Sequence, residues 1–225
     1  MKFSVSTAKE ALSQFADSTY MSKSGIYDVT IKFASVDVSK NGAESINFNV
    51  DYNGGDSTVY GPYITSKEGQ TLEIGAKLIN SLAVIAGMGN GDQFDTEEQE
   101  HIIGKDKKAQ TFTVITNFSD LPVKMHLQEE YSRNPNTNDI QKRMTLKGFY
   151  RAEDGADAAE VVSGKDIGKR LATVTEKYAS NITYKDVTAE EVAAWKAAKA
   201  DGKSAPAKPM PKAAVVKPAA GLFKA

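Results

Sequence analysis

The sequence predicts a mainly β protein, in which short antiparallel strands form one small sheet and a single internal helix follows the third strand. Three observations favour this fold class. Several short runs alternate apolar and polar residues, which is the period of a half-buried strand. Turn residues separate these runs without βαβ alternation. One segment near residues 74–88 switches to helical spacing. We predict strands at residues 26–39, 44–53, 58–65, 111–118, 123–131 and 140–150.

The first predicted strand changes phase along its length. Its apolar side chains lie on odd positions through Phe33 and on even positions from Val36 onward. This change predicts a β-bulge near Ala34 and Ser35, because one extra residue moves the following side chains to the other face. A bent first strand is typical of a five-stranded barrel, in which that strand pairs with both halves of the sheet.

The segments after the first hairpin are predicted from local patterns. Pro62 lies within the third strand and indicates an edge position, a bulge or a break, because proline donates no hydrogen bond to a neighbouring strand. Leu78, Leu82 and Ile85 recur at helical spacing and predict a helix of about three turns. Residues 89–110 are glycine-rich, then acidic, then basic, and are expected to form an inserted loop or short helix.

Four segments are predicted along the chain: an N-terminal arm at residues 1–24, a β domain at 25–151, a helical extension at 152–201 and a tail at 202–225. In the extension, residues 167–179 are interpreted as a helix or a strand. Thr188 and Glu191 have the spacing of a capping box that opens a C-terminal helix. The tail is rich in Ala, Pro and Lys, with five lysines and no acidic residue, so it is expected to be disordered.

Composition narrows the class of protein. The 225 residues are 40% hydrophobic, which is enough for one domain with extensions. A net charge of −1 removes the simplest argument for a nucleic-acid-binding protein, although a local basic face remains open. The absence of cysteine excludes disulfides and thiolate chemistry. Because no apolar stretch reaches the length of a membrane span, we expect a cytoplasmic protein without a membrane partner.

The order of elements carries a family resemblance. The strand Gly25–Ile31, the hairpin after it, the helix Leu78–Met88 and the segment Asp120–Tyr131 with the basic strand that follows resemble bacteriophage single-stranded DNA-binding proteins. The resemblance covers residues 25–151. It implies a five-stranded barrel with the oligonucleotide/oligosaccharide-binding (OB) fold, whose second and third strands bind single-stranded DNA.

The same resemblance implies a role in phage DNA replication or recombination, in the cytoplasm of the host cell. Two features depart from the family pattern. The family commonly has an acidic tail that ends in an aromatic residue and recruits replication proteins, whereas the tail in this sequence is basic. The segment 89–110 is an insertion after the helix and would reshape the binding groove.

Binding of single strands without sequence preference requires cations for the phosphates and exposed aromatic rings for the bases. The candidate residues lie in two regions, Tyr60, Tyr63 and Lys67 near the third strand, and Arg133, Arg143, Lys147, Phe149 and Arg151 near the last strand. Those on the last strand from position 143 onward share one parity, so an ideal strand would present three cations and an aromatic ring together. The alternative is a solvated face with Phe149 packed against the C-terminal helix.

The two tyrosines of the third strand have opposite parity. At most one of Tyr60 and Tyr63 therefore faces a given side of the sheet, unless Pro62 breaks the register. Tyr60 is the favoured stacking residue. Tyr52 continues the apolar parity of its own strand and is interpreted as a core residue.

The tail allows two interactions. Its lysines would add nonspecific DNA affinity by releasing counterions. Alternatively, Leu222 and Phe223 would dock on a partner, such as a replication or recombination protein, or on a neighbouring subunit. The tail is equally compatible with having no role, and the sequence leaves the oligomeric state open.

An enzyme is not expected, and neither is a cofactor or a metal. The acidic residues between positions 92 and 100 lack the spacing of a calcium loop, and His101 has no HExxH partner. The glycines at 87–91 follow a helix, whereas a phosphate-binding loop precedes one. The main alternative function is a β-rich virion structural or assembly protein that does not bind nucleic acid. A small regulatory inhibitor that binds protein through the same barrel is a further alternative.

Overall fold

A computed structural model of the protein describes residues 19–103 and 108–200. The tail, with Leu222 and Phe223, lies outside the described residues, as does most of the N-terminal arm. The elements, in chain order, are β1 (Gly25–Val38), β2 (Glu44–Tyr52), β3 (Gly55–Tyr63), α1 (Glu73–Ile85), β4 (Thr96–Ile103), β5 (Lys108–Ile115), a 3-10 turn (Thr116–Phe118), β6 (Leu121–Arg133), β7 (Ile140–Arg151), α2 (Ala158–Ser163), α3 (Lys169–Lys177), β8 (Ile182–Tyr184) and α4 (Ala189–Ala200).

The predicted mainly β class is confirmed, and the sheet is antiparallel and open. Its strands follow the order β3-β2-β1-β5-β4, and β6 pairs with β1, β7 and β8. One edge of β1 pairs with β2, while its other edge pairs with β6 along its first half and with β5 farther on. In the described part of the chain β3 and β7 do not pair with each other, so the sheet does not close into a barrel.

The predicted change of face in β1 is confirmed, slightly earlier than expected. The register between β1 and β2 shifts between Ile31 and Phe33. Ile31 and Ala34 both belong to the main core. Phe33 is buried on the other side of the sheet, where its ring stacks on His101 with 3.8 Å between the ring centroids. The irregularity therefore lets one strand supply side chains to two apolar clusters.

The expectation of a loop or short helix at 89–110 is wrong, because Thr96–Ile103 and residues 108–110 belong to the antiparallel hairpin β4–β5. The hairpin is joined to the sheet through the pairing of β5 with β1. Phe112 and His101 from the hairpin pack on Phe33, and this contact gives the hairpin an apolar attachment. The sequence of β4 is acidic and does not indicate this attachment, because the ring on which the hairpin packs belongs to the distant strand β1.

The predicted helix is confirmed as α1, and it covers one end of the core. Ile79, Leu82 and Ile85 are buried on its inner face. Gly87 follows the helix with a φ of +87°, a left-handed conformation that favours glycine and ends helices. Ile74 in the first turn is 84% exposed and takes no part in this core.

The chain divides into two compact units. Of the described residues, one unit contains those up to Glu130 together with Arg143–Thr183, and the other contains Tyr131–Lys142 together with those from Tyr184 to Ala200. The predicted domain boundaries at 24, 151 and 201 remain predictions. The predicted capping box is confirmed in the second unit, because Thr188 and Glu191 each accept the other's backbone N–H through a side-chain oxygen. Residues 167–179, which were expected to form a helix or a strand, contain the helix α3.

Candidate functional site

A groove of about 460 Å³ lies in the first unit, where three elements come together. It is lined by Tyr60, Gly61 and Pro62 of β3, by Ile74, Lys77, Leu78 and Ser81 of α1, and by Thr145, Leu146 and Lys147 of β7. The strands β3 and β7 are the two ends of the path β3-β2-β1-β6-β7. The groove therefore occupies the gap that these two strand ends leave open.

The strand β3 becomes irregular where it lines the groove. The backbone N–H of Gly61 points towards β2, where the side-chain oxygen of Asn47 accepts it at 3.3 Å. Ile64 also donates its backbone N–H to β2, to the carbonyl oxygen of Glu44 at 2.8 Å, so Gly61 and Pro62 lie in an irregularity of the β2–β3 pairing, where Pro62 has no N–H to donate. A side chain at position 61 is excluded, because its Cβ would lie 1.8 Å from the carbonyl oxygen of Ile46. The Gly-Pro pair thus ends the regular pairing of β3 at the point where this strand lines the groove.

Two large apolar side chains are exposed in this groove. Tyr60 on β3 is 73% exposed and Ile74 on α1 is 84% exposed. They lie on different walls, one on a strand and the other on the first turn of a helix. Neither contributes to the buried core, so folding alone gives no reason for an aromatic and an aliphatic side chain at these positions.

Two lysines add positive charge to the groove. Within residues 19–103 and 108–200, no carboxylate forms an ion pair with Lys147. Lys77 forms an ion pair with Glu73 one turn earlier on α1, and both side chains are largely exposed. Such an exposed pair contributes little free energy, so Lys77 can exchange its partner for another anion.

The register at the end of β3 separates the other residues predicted near this strand. The pairing of β2 with β3 shifts between Ser45 and Asn47, so Pro62 does break the register. Tyr63 is 53% exposed but does not line the groove, and neither does Lys67, which forms an ion pair with Glu68 at 3.5 Å. Of the candidates near β3, only Tyr60 lies in the groove.

The prediction that Phe149 offers a stacking surface is wrong. Its side chain is 3% exposed, and its ring packs edge-on against Phe48 in the core with 5.3 Å between the centroids. Leu146 is also in the core, although it has the opposite parity. The strand β7 therefore changes face between these two positions, and the face that the parity predicted does not form.

None of the three predicted arginines lines the groove. Arg151 donates two hydrogen bonds to Asp154, at 3.0 and 2.6 Å, and this contact lowers the pKa of Asp154 to about 2. Arg133 lies in the second unit, where its guanidinium contacts Glu191, Asn138 and Asp186. Arg143 is exposed on β7 but does not line the groove. Among the predicted basic residues, only Lys147 lies in the groove.

The groove residues on α1 were missed in the sequence. Ile74 lies four residues before Leu78 and eight before Leu82, so it continues the apolar face of the helix and looks like a core residue. Lys77 and Ser81 look like ordinary solvent-facing residues of the same helix. No local signal in the sequence distinguishes them, because the groove forms only when α1 lies beside β3 and β7.

The pKa of a buried histidine depends on the charge of a residue in the groove. His126 on β6 is 7% exposed, and its Nε2 atom has no hydrogen-bond partner among the described residues. Burial lowers the pKa of His126, and the positive charge of Lys147 lowers it further. An anion bound at Lys147 should therefore raise the pKa of His126.

Neither a metal-binding cluster nor a membrane-spanning helix is found among the described residues. In the described ranges, acidic and histidine side chains form no group of three or more that could hold a metal ion. None of the described helices combines the length and the apolar character that a membrane crossing requires.

The sequence matches no protein-family model and has no significant match among curated proteins.

Proposed function

We propose that this protein binds single-stranded DNA without sequence preference, through stacking and phosphate contacts at the groove. The observation that carries the proposal is that the exposed ring of Tyr60 and the side chain of Lys147 line the same groove, and that Lys147 has no ion-pair partner in the described chain. Every base has an aromatic face, so stacking on a tyrosine stabilises any sequence by about 1–3 kcal/mol per base. The preference for single strands follows because duplex bases already stack on each other.

The strand order supports an OB-like fold for the proposed function. The path β3-β2-β1-β6-β7, with α1 following β3 in the chain, is the order that an OB barrel would have if its two end strands were to pair. In this proposal the gap between those strands is a binding groove, and the hairpin β4–β5 is an addition to the sheet. The phage replication or recombination role, in the host cytoplasm and without catalysis or a cofactor, follows from the family resemblance alone.

The proposal is tested by fluorescence anisotropy of a labelled oligo-dT of roughly thirty nucleotides, compared with its duplex at low and moderate salt. We expect preference for the single strand and weaker binding at higher salt. Lys147→Ala is expected to reduce the slope of log K against log salt by about 0.7, the value for one phosphate contact to a single strand. Lys40→Ala, which removes an exposed lysine outside the groove, is the matched control.

No binding of oligo-dT at low salt would contradict the proposal. The assembly alternative would then gain support from one observation. The strand β4 ends the sheet with an unpaired edge in the described chain and exposes Ile102, so another copy could add to this edge. Rings or tubes seen by electron microscopy, together with a large species in size-exclusion chromatography, would favour that function.

A further inference from the structure

We infer that the groove is a base clamp, which holds one unstacked nucleobase between the ring of Tyr60 and the side chain of Ile74 and places the adjoining phosphate at Lys147. This inference rests on the proposed binding of single-stranded DNA and specifies how that site works. It adds α1 to the binding surface through Ile74 and Lys77. Neither of these side chains belongs to the buried core.

The two walls match the two faces of a base. A flat aromatic heterocycle is apolar above and below its plane and polar around its edge, so a clamp needs apolar groups on both sides. The wall from β3 supplies Tyr60, and the wall from α1 supplies Ile74 and, deeper, Leu78. The volume of about 460 Å³ lies within the range of about 300–1,000 Å³ that small-ligand sites occupy.

Polar groups at the site suit the rest of a nucleotide. Lys147 and Lys77 both line the groove, so an anion at its mouth meets two cations. The Ser81 hydroxyl donates its proton to the carbonyl oxygen of Lys77 at 2.9 Å, which leaves its oxygen lone pairs able to accept from a base edge. Charge and shape therefore favour an anionic aromatic unit over an aliphatic one.

An extended peptide fits the groove less well than a nucleotide does. A peptide strand that paired with β3 at this point would meet an irregular edge, because the register of β3 shifts at Gly61 and Pro62. A nucleotide uses stacking and charge and does not need the backbone of β3. The irregular end of β3 thus favours a ligand of this kind.

The test compares oligo-dT with an abasic deoxyribose-phosphate oligomer of equal length, for the wild type and for Tyr60→Ala, Ile74→Ser and the double variant. We expect Ile74→Ser to weaken oligo-dT binding by about fivefold and Tyr60→Ala by roughly tenfold or more, from the free energies of an apolar contact and of one stacked base. Binding of the abasic oligomer should not change. The double variant should lose less than the product of the two factors, because both side chains hold the same base.

Ile102→Ser is the matched control, since Ile102 is also an exposed isoleucine, 64% exposed, but lies on β4 outside the groove. Thermal unfolding should be unchanged for Ile74→Ser, because that side chain is already in solvent. If Ile74→Ser binds oligo-dT as tightly as the wild type while Tyr60→Ala binds weakly, the clamp is wrong and the DNA-binding function stands. If the wild type binds neither oligomer, the proposed function fails and the clamp with it.

Discussion

The guanidinium of Arg133 lies 2.9 Å from the carboxylate of Glu191, and this pair joins the end of β6 to the first turn of α4 within the second compact unit. Glu191 uses its other oxygen to accept the backbone N–H of Thr188, so one carboxylate serves both the ion pair and the capping box. Arg133 also donates to the backbone carbonyls of Asn138 and Asp186. A residue with this many fixed partners is structural, although its charge suggested phosphate binding.

Arg133→Met is therefore expected to lower stability and to leave DNA affinity unchanged. The variant removes the hydrogen bonds that Arg133 donates to a half-buried carboxylate and to two carbonyl oxygens, which costs about 1–3 kcal/mol in the free energy of unfolding. Urea unfolding followed by circular dichroism measures this loss, and anisotropy with oligo-dT measures binding. Lys147→Ala is the converse control, since it should weaken binding without changing stability. Weaker DNA binding by folded Arg133→Met would return this residue to the binding surface.

Glu160 is the second structural group for which a change has a definite expected outcome. Its carboxylate is 8% exposed and accepts the backbone N–H groups of Asp157, Gly168 and Arg170, at 3.0, 3.0 and 2.8 Å. Burial opposes ionisation, but these three donors together hold the pKa of Glu160 below its usual 4.5. Glu160→Gln keeps the shape but replaces one acceptor oxygen with a donor, so we expect a loss of about 1.5–3 kcal/mol at neutral pH.

The pH dependence of this loss separates the charge from the shape. Because the folded pKa of Glu160 is lowered, its contribution is complete above about pH 4.5 and is lost as the pH falls through the folded value. The difference between the wild type and Glu160→Gln should therefore shrink in acid. Glu153→Gln, an exposed glutamate of the same segment, should show little effect at any pH. A difference that stays constant into strong acid would show that the carboxylate charge is unimportant.

Local patterns were enough to predict the elements that depend on neighbours in sequence. The helix α1, the strands other than β4 and β8, and the capping box of α4 each have a period or a spacing that is visible within a short window. The strand β4 was not predictable in this way, because the apolar support of its hairpin with β5 is the ring of Phe33 on a distant strand. Arg133 failed for the same reason, since its partner Glu191 is 58 residues away.

Tyr60, the favoured stacking residue, is exposed, whereas the parity of β7 predicted Phe149 wrongly. Counting by twos assumes a regular strand, and β7 places both Leu146 and Phe149 in one core. The groove itself could not be predicted, because its walls come from β3, α1 and β7, which meet only in the folded chain. Tertiary packing, which a single sequence does not display, decides which exposed residues lie together.

His126 predicts a loss of stability in mild acid. The pKa of His126 is lowered in the folded state, mainly by burial and also by Lys147. In the unfolded chain the same imidazole therefore takes up a proton at a higher pH, about 6.5. The stability that it contributes is therefore complete above about pH 6.5 and falls as the pH drops towards the folded pKa. His126→Phe should flatten the stability curve between about pH 7 and 5 in chemical denaturation. An equally steep curve in a folded His126→Phe would assign the effect to another group.

Lys147 links this histidine to the groove, and the link can be measured directly. Lys147→Met removes the positive charge that helps to lower the pKa of His126, so we expect the pKa of the imidazole to rise in the variant. A phosphate bound at Lys147 should act in the same direction, because it offsets that charge without removing the side chain. Histidine ring signals followed by NMR against pH, with and without oligo-dT, give both values. Lys165→Met, which removes an exposed lysine outside the groove, should leave the pKa of His126 unchanged. If oligo-dT binds and the pKa of His126 does not rise, the phosphate does not lie at Lys147.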